Sequence, residues 1–572
     1  MTCTKFKLTT VAALVFAATN ANAALYKVVE VTPSITGASE IFGVAIQPGT
    51  ASDGTNDLAL GCFDSAATNC ADSTFKLAGE TRDTVEAVSY REEVPFAMDA
   101  SFRYIQENDD FENYCYRELR YSTCESWADQ RWSTWRQEKG DYSYLNAQAF
   151  VEGLVEFTTT NTVITALDLD ARPLGIKSNG KDIRNTAIAT VGAPDDNDSE
   201  TRAWGSLTYN STTYNVGSIS TNQTNDEGDV FSSKAAIWDG TTTKEIDWIR
   251  SGSAKEGEYL AQGSMRSLTI DNNEIYGVGF NTANGSGDLQ DMNASVFVSS
   301  GLDLMTATWE TRVVSGAEVK SGSSSDDARY SNSVLSDINQ NLFAVGYSKR
   351  NGYVPESGSA GNKIFVVTDA STPTATYLSG GIFFGGSSGE AKAVNNFNEF
   401  VGQIDAETTR EVDGSERRHR GFIYPYKSDD VSGTLTERYS GVFRSKSWWL
   451  DDLTNGANTD GQDYSNANNY FRVIDATDIN DAGVISGTAI KCTVNGTAQP
   501  YDTTAHNSYC GGAASNAVEE VVAVKLVPIS GATEEDIQTR STDTEKVERQ
   551  GGSLGWLALT VLGLLGFRRK FK

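Results

Sequence analysis

The chain has 572 residues, with 47 Lys and Arg against 76 Asp and Glu, a formal net charge of −29, two His and seven Cys. An acidic surface excludes nucleic acid as the partner, because phosphate binding rests on Lys and Arg. Two histidines leave few ways to build a Ser-His-Asp machine, and with no Cys-x-x-Cys pair a zinc site is not expected.

At the N-terminus, Lys5 and Lys7 precede an apolar run from Leu8 to Ala18 and a polar stretch ending Ala21-Asn22-Ala23. A basic start, a short apolar run and a small-x-small exit make a signal peptide over 1–23, read by the Sec translocon and cut after Ala23, with Ala21 and Ala23 setting the site. Cys3 leaves with it. The other six cysteines fall into local pairs, Cys62 with Cys70, Cys115 with Cys124, and Cys492 with Cys510. An even count in an exported chain points to disulfides, and proximity favours the local pairing among fifteen connectivities.

From about Ala100 to Leu154 the chain is rich in aromatics and charge and reads as a helical insertion. Trp127, Trp132 and Trp135 are candidates for a partner-binding face. The competing expectation is that they pack a helical hairpin onto its host.

Over the rest of 24–529, Gly, Ser, Thr, Asn and Asp punctuate short runs of Val, Ile, Phe and Tyr, the texture of many short strands. One pattern recurs: an apolar residue or Thr, polar turn residues, then a strand closing on Gly eight residues later. The clear copies run Ile338-Asn339 to Gly346, Val394-Asn395 to Gly402, and Ile479-Asn480 to Gly487. Weaker ones run Thr269 to Gly277, Leu167 to Gly175 and Ile35 to Gly43. A second apolar strand follows many of them, as at 235–240, 294–298, 363–367 and 421–426. Asn-Asp or Asn-Glu supplies a turn, the strand buries one face, and the Gly permits a bend or close backbone approach. Each unit is a hairpin that cannot bury its apolar face alone, so several must stack. Radial stacking predicts a mainly β, propeller-like fold of six to eight blades; a two-sheet sandwich array or a solenoid is the alternative.

Catalytic motifs are weak. Gly385-Gly386-Ser387-Ser388-Gly389 has the spacing of a nucleophile elbow, but a repeat strand follows where that motif needs a helix. His419 lies among Arg417, Arg418 and Arg420, and His506 lies in a polar loop between Cys492 and Cys510. Acidic runs at 108–110, 195–198 and 458–463 invite a structural calcium, though none completes an EF-hand loop. No other cofactor is indicated. Paired carboxylates for hydrolysis stay open, because sequence spacing says nothing of spacing across a propeller.

Beyond Ile529, residues 530–550 are polar and read as a flexible linker. The last 22 residues place Gly551, Gly552 and Ser553 before an uncharged run, Leu554 to Phe567, and then Arg568, Arg569, Lys570 and Lys572. At about 1.5 Å per residue the run covers roughly 21 Å, short of a bilayer core of roughly 30 Å. Five glycines lie from Gly551 to Gly566, and the three within the run weaken its helix further. Without the 23 and 22 terminal residues about 527 remain; Lys and Arg fall from 47 to 41 against 76 acids, a charge near −35.

Residues 551–572 resemble the GlyGly-CTERM sorting tail. That resemblance implies a transmembrane tail held in the inner membrane in transit, cutting by a rhomboid-type protease, rhombosortase, and release to the cell surface or medium, as for type II secretion cargo. The units from about 160 to 490 resemble the extracellular HAF-type repeat, with irregular spacing. Signal, repeats and tail together resemble a family of exported Gram-negative proteins classed as a domain of unknown function, which implies no activity. The expectation is therefore an exported, non-catalytic binding or scaffold protein for a glycan or protein ligand. The alternative is a secreted hydrolase.

Overall fold

The computed structural model describes residues 24–35, 37, 40–82, 107–116, 121, 123–192, 199–225, 228–250, 255–256, 259–284, 291–318, 333–349, 361–408, 417–427, 434–456, 464–498, 510 and 516–540. The signal segment, the tail from Gly551 and His506 lie outside them. No helix among the described residues is long and apolar enough to cross a membrane.

Seven antiparallel sheets stand around one axis, resolving six to eight into seven blades. Their inner strands are Glu40–Ile46, Thr162–Leu167, Ser199–Tyr209, Gly263–Asp271, Ser333–Ile338, Gly389–Val394 and Phe471–Ile479, which define blades 1 to 7 in that order. Each inner strand packs against the next, and that of blade 7 packs against that of blade 1. The ring excludes the sandwich array and the solenoid. Successive strands step outward, four in most blades and three in blade 2. Blade 7 is shared between the ends of the chain: Tyr26–Val31 pairs antiparallel with Val518–Pro528, from Tyr26 opposite Pro528 to Val31 opposite Ala523. That pairing closes the ring.

The repeat glycines have one shared cause. In every blade the inner strand carries a β-bulge, and the residue just before the extra one lies opposite a glycine of the second strand: Gly79, Gly175, Gly217, Gly279, Gly346, Gly402 and Gly487. The bulge drives an inner-strand carbonyl toward that glycine. A Cβ at Gly402 would lie 1.9 Å from the Glu390 carbonyl oxygen, and one at Gly346 would lie 2.1 Å from that of Val334. Only glycine fits. Two weak copies shift in consequence. Gly277 lies opposite Leu268 while Gly279 takes the bulge position, and Gly43 belongs to an inner strand, its partner glycine being Gly79.

The helical insertion ends short of 154. It contains α1 (Asn108–Tyr114) and α2 (Glu125–Gly140), and Ala147–Val151 is already the third strand of blade 1. The Cys115–Cys124 disulfide joins the two helices, and the Cys62–Cys70 and Cys492–Cys510 disulfides also form. Phe111, Tyr114, Trp127 and Trp135 pack between the helices and against Phe231 of blade 3. Glu138 approaches Arg184 of blade 2 at 3.7 Å, and Tyr114 receives a hydrogen bond from Lys349 of blade 5 at 3.4 Å. The hairpin leaves blade 1 between Arg82 and Ala147, at the end away from the inner-strand turns. Reaching blades 2, 3 and 5 from there, it lies across that end of the axial channel.

The stretch beyond Ile529 is not a free linker as far as it is described. Ile529, Ala532 and Ile537 join the core of blades 6 and 7, and the Arg540 guanidinium donates to the Asp451 carbonyl at 2.7 Å. Three spaced apolar residues and one arginine tie it down, too sparse a pattern to show as periodicity.

Candidate functional site

The bulged inner strands aim their extra residues around the axis. Thr165 donates to the Ala203 carbonyl of the next blade at 2.8 Å, and Thr477 donates to that of Gly43 at 3.0 Å. Arg266 stacks on Trp204 at 3.5 Å, and Lys392 pairs with Asp475 at 2.5 Å. These contacts run between neighbouring blades and form a belt around the channel.

Above the belt the channel opens at the turn end. A pocket of about 230 Å³ is lined there by the inner-strand ends and turns of blades 1, 3, 4, 5, 6 and 7. Asp337 and Asp478 occupy the same position in their blades, immediately after the bulge residue. Each carboxylate ties two strands together. Asp337 accepts the amides of Ile338 at 2.8 Å and of Val394 in the next blade at 2.8 Å. Asp478 accepts those of Ile479 at 2.8 Å and of Ile46 in the next blade at 2.9 Å. Burial pushes Asp337 up to about 6; burial, then the Asp337 charge, pushes Asp478 up to about 7.

Around the rim runs a ladder of amides. Asn339 Nδ2 donates to the Asn395 carbonyl at 2.8 Å, Asn395 Nδ2 to that of Asn480 at 3.2 Å, and Asn480 Nδ2 to that of Gln47 at 3.0 Å. Gln47 Nε2 carries the series into blade 2, donating to Leu169 at 2.8 Å. Each Asn Oδ1 meanwhile accepts an amide of its own turn, Phe343, Glu399 or Val484. Blade 2 has Asp168 at this place, whose Oδ1 accepts the Arg172 amide at 2.8 Å; a carboxylate has no N–H to pass on, and the ladder stops.

The residues singled out by sequence fall elsewhere. Trp127 and Trp135 are buried and Trp132 is half-buried against the same cluster, so these rings face inward and do not present a binding surface. The Gly-x-Ser-x-Gly segment is a turn into the blade 6 inner strand. Ser387 is buried and donates to the Phe384 carbonyl at 2.8 Å. Ser388 Oγ accepts the Asn362 amide at 3.0 Å while its own amide donates to Asp405 at 2.9 Å. His419 lies 3.1 Å from Asp405, which also pairs with Arg417 at 2.6 Å. Asp405 thus stands between serine backbone and imidazole, an order that builds a structural knot. Of the acidic runs, 108–110 forms the start of α1, where Asp110 closes a capping box with Glu107; 195–198 and 458–463 lie outside the described residues. No group of three or more His, Cys, Asp or Glu placed to hold a metal occurs among the described residues.

The axial carboxylates and the ladder were the features sequence reasoning missed. Their signal was present: Asp337 and Asp478 stand one residue before the apolar residue of the Ile-Asn pair in two clear copies.

The family model described as a protein of unknown function, DUF3466, matches residues 216–570, more than half of the chain. No curated protein sequence matches. Among solved structures the chain is similar to a glycoside hydrolase, at 11% identity over 62% of this chain and 94% of that one, with a TM-score of 0.25. It is similar to the Cellvibrio cellulosa alpha-L-arabinanase at 10% identity, over 42% and 79%, with a TM-score of 0.23. A Synechocystis apocarotenoid oxygenase variant is 11% identical over 70% and 89%, with a TM-score of 0.28. At such values these likenesses carry no argument about chemistry.

Proposed function

The chain belongs to the DUF3466 family of proteins of unknown function, and from its own geometry we propose that it is an exported, non-catalytic binding protein whose ligand enters the axial pocket at the turn end. The observation that carries the reading is the pocket itself, an opening on the axis built from six blades and backed by the belt and the helical hairpin. Such a convergence of loops on a rigid ring is where propellers and other repeat scaffolds place ligands. Asp337 and Asp478 fit a binding role because all four of their oxygens accept main-chain amides, which fixes them in place. The three disulfides are compatible with an oxidising compartment. With the sequence of 1–23 and 551–572 they support passage through the Sec translocon, transit in the inner membrane, processing by a rhomboid-type protease and display at the surface or in the medium.

One observation favours a second reading, a secreted hydrolase: two carboxyl groups in one pocket with raised pKa values are a signature of acid–base chemistry. A single preparation separates the two. The protein is recovered from surface or medium fractions of its host, its mass determined, and glycans and peptides offered while both thermal shift and product release are followed. A mass ending near Gly551 with a ligand bound and recovered unchanged supports the binding protein. Product release that disappears in Asp478→Asn establishes the hydrolase.

A further inference from the structure

The chemistry of the pocket narrows what it accepts. Of its lining residues none is cationic and none is aromatic. Anions therefore meet Asp337, Asp478 and Asp481 with nothing to balance them, and a sugar ring finds no flat face to stack on. The walls are aliphatic, from Ile46, Leu207, Leu268 and Ile338, while the carboxylates and turn amides form the polar end. A space of about 230 Å³ lies below the roughly 300–1,000 Å³ of drug-sized sites, enough for one head group and a short stem. The cations around it are committed: Lys392 pairs with Asp475, Arg266 stacks on Trp204 and faces Phe280, and Arg438, behind the rim on the Asp481 carbonyl, is paired with Glu399. Asp481 at the rim holds Asn396, accepting from its Nδ2 at 2.7 Å.

We propose that the pocket takes an alkylammonium group, a charged amine head on a short aliphatic stem, as carried by a free primary amine or by a lysine side chain. The head lies toward Asp337 and Asp478 and the stem along Leu207 and Leu268. An organic cation suits this site better than a metal ion: it brings its own N–H donors and needs no multidentate cage, and no cluster of three metal-ligating side chains occurs among the described residues. Burial is the main cause of the raised pKa of both carboxyls, and a cation placed beside them offsets that penalty on their charged form. This inference rests on the pocket being a binding site.

Titration calorimetry on the full chain at pH 8 tests it with n-butylammonium chloride, Nα-acetyl-lysine methylamide, 1-butanol, calcium chloride and methyl glucoside. The expected result is that an amine probe binds at least tenfold more tightly than 1-butanol, and that Asp478→Asn weakens it at least tenfold. Asp337→Asn serves as the second variant should the first unfold. Tighter binding of the lysine derivative identifies a partner's side chain as the source, and tighter binding of butylammonium identifies a free amine. Equal binding of butanol and butylammonium overturns the proposal. So does calcium binding that Asp478→Asn abolishes, and so does binding of the glucoside alone, which leaves the pocket a binding site of another class. Silence of all five probes overturns the proposal, and only the wider glycan and peptide screen then decides the binding reading itself.

Discussion

Asn395 Nδ2 donates to the Asn480 main-chain carbonyl at 3.2 Å, across the boundary between blades 6 and 7, while its Oδ1 accepts the Glu399 amide at 3.1 Å within its own turn. One side chain thus closes a hairpin and fastens it to the next. Asn339 and Asn480 repeat the arrangement. Replacing Asn395 by Ala strands a buried carbonyl and buried amides, each costing about 1–3 kcal/mol when unsatisfied. We expect a loss of at least 2 kcal/mol in urea unfolding, against under about 0.5 kcal/mol for the exposed Gln340→Ala. Equal losses for the two would show that the inter-blade bonds contribute nothing.

How far such a structure can be read in advance depends on which contacts are local. The hairpin of each clear copy was legible because turn residues, strand and glycine lie within one stretch of chain, as at Ile479 to Gly487. The blade number was not. Blade 3 reaches its glycine, Gly217, through long strands that break the eight-residue spacing, and blade 1 puts a 30-residue excursion carrying Cys62 and Cys70 between Ile46 and Leu77. Ring closure by Tyr26–Val31 pairs segments almost 500 residues apart, which no local pattern reports. The candidate pocket has the same limit. Asp337 and Asp478 are distant acids in the chain and become neighbours only because equivalent positions of a ring converge on its axis. The tryptophans left two readings open: Trp127 and Trp135, at i and i+8, share one helix face, a periodicity that fits burial as well as exposure, and the structure takes the packed alternative.

The glycine opposite each bulge makes a prediction with an internal control. Gly402→Ala would place its Cβ 1.9 Å from the Glu390 carbonyl oxygen, so backbone must move. Strain of this kind costs about 1–3 kcal/mol, and we expect the upper end. Gly301 has open space around its Cα and no left-handed φ. Gly301→Ala should leave the midpoint of thermal unfolding within a degree or two, while Gly402→Ala lowers it clearly. A neutral Gly402→Ala would mean that the bulge is dispensable.

Helix α3 (Thr434–Gly441), between the third and fourth strands of blade 6, is held by one buried ion pair. Arg438 grips Glu399 with Nε at 2.8 Å and Nη2 at 2.5 Å, and its Nη1 donates to the Asp481 carbonyl at 2.8 Å. Arg438→Met leaves a buried carboxylate without its partner, a change that costs about 3–5 kcal/mol in comparable sites. Removing both charges, in Arg438→Met with Glu399→Gln, should recover more than half of that loss. A double variant no more stable than the single one would show that the arginine acts through packing on Phe397, 4.1 Å from its guanidinium.

The buried acids set the response to pH. Glu200 is pushed up to about 8 by burial and then by Asp182, Asp478 to about 7, Asp337 to about 6, and Asp452 to about 6 by burial. In the unfolded chain such carboxyls titrate near about 4. Between about pH 4 and 8 the folded protein therefore holds more protons than the unfolded one, and stability falls as pH rises through that window. Asp405 acts elsewhere: burial pushes it upward but is outweighed by His419 and Arg417, so it titrates low and its contribution is lost only below about pH 4. Partial neutralisation of a chain of charge −29 works in the same direction as the raised acids. The unfolding midpoint should climb from pH 8 to pH 5, and Asp478→Asn should flatten the part of the slope below pH 7 by removing one titrating group. A midpoint that instead falls steadily from pH 8 to pH 5 would show that these carboxyls stay ionised in the fold, and that water in the axial pocket solvates Asp337 and Asp478 fully.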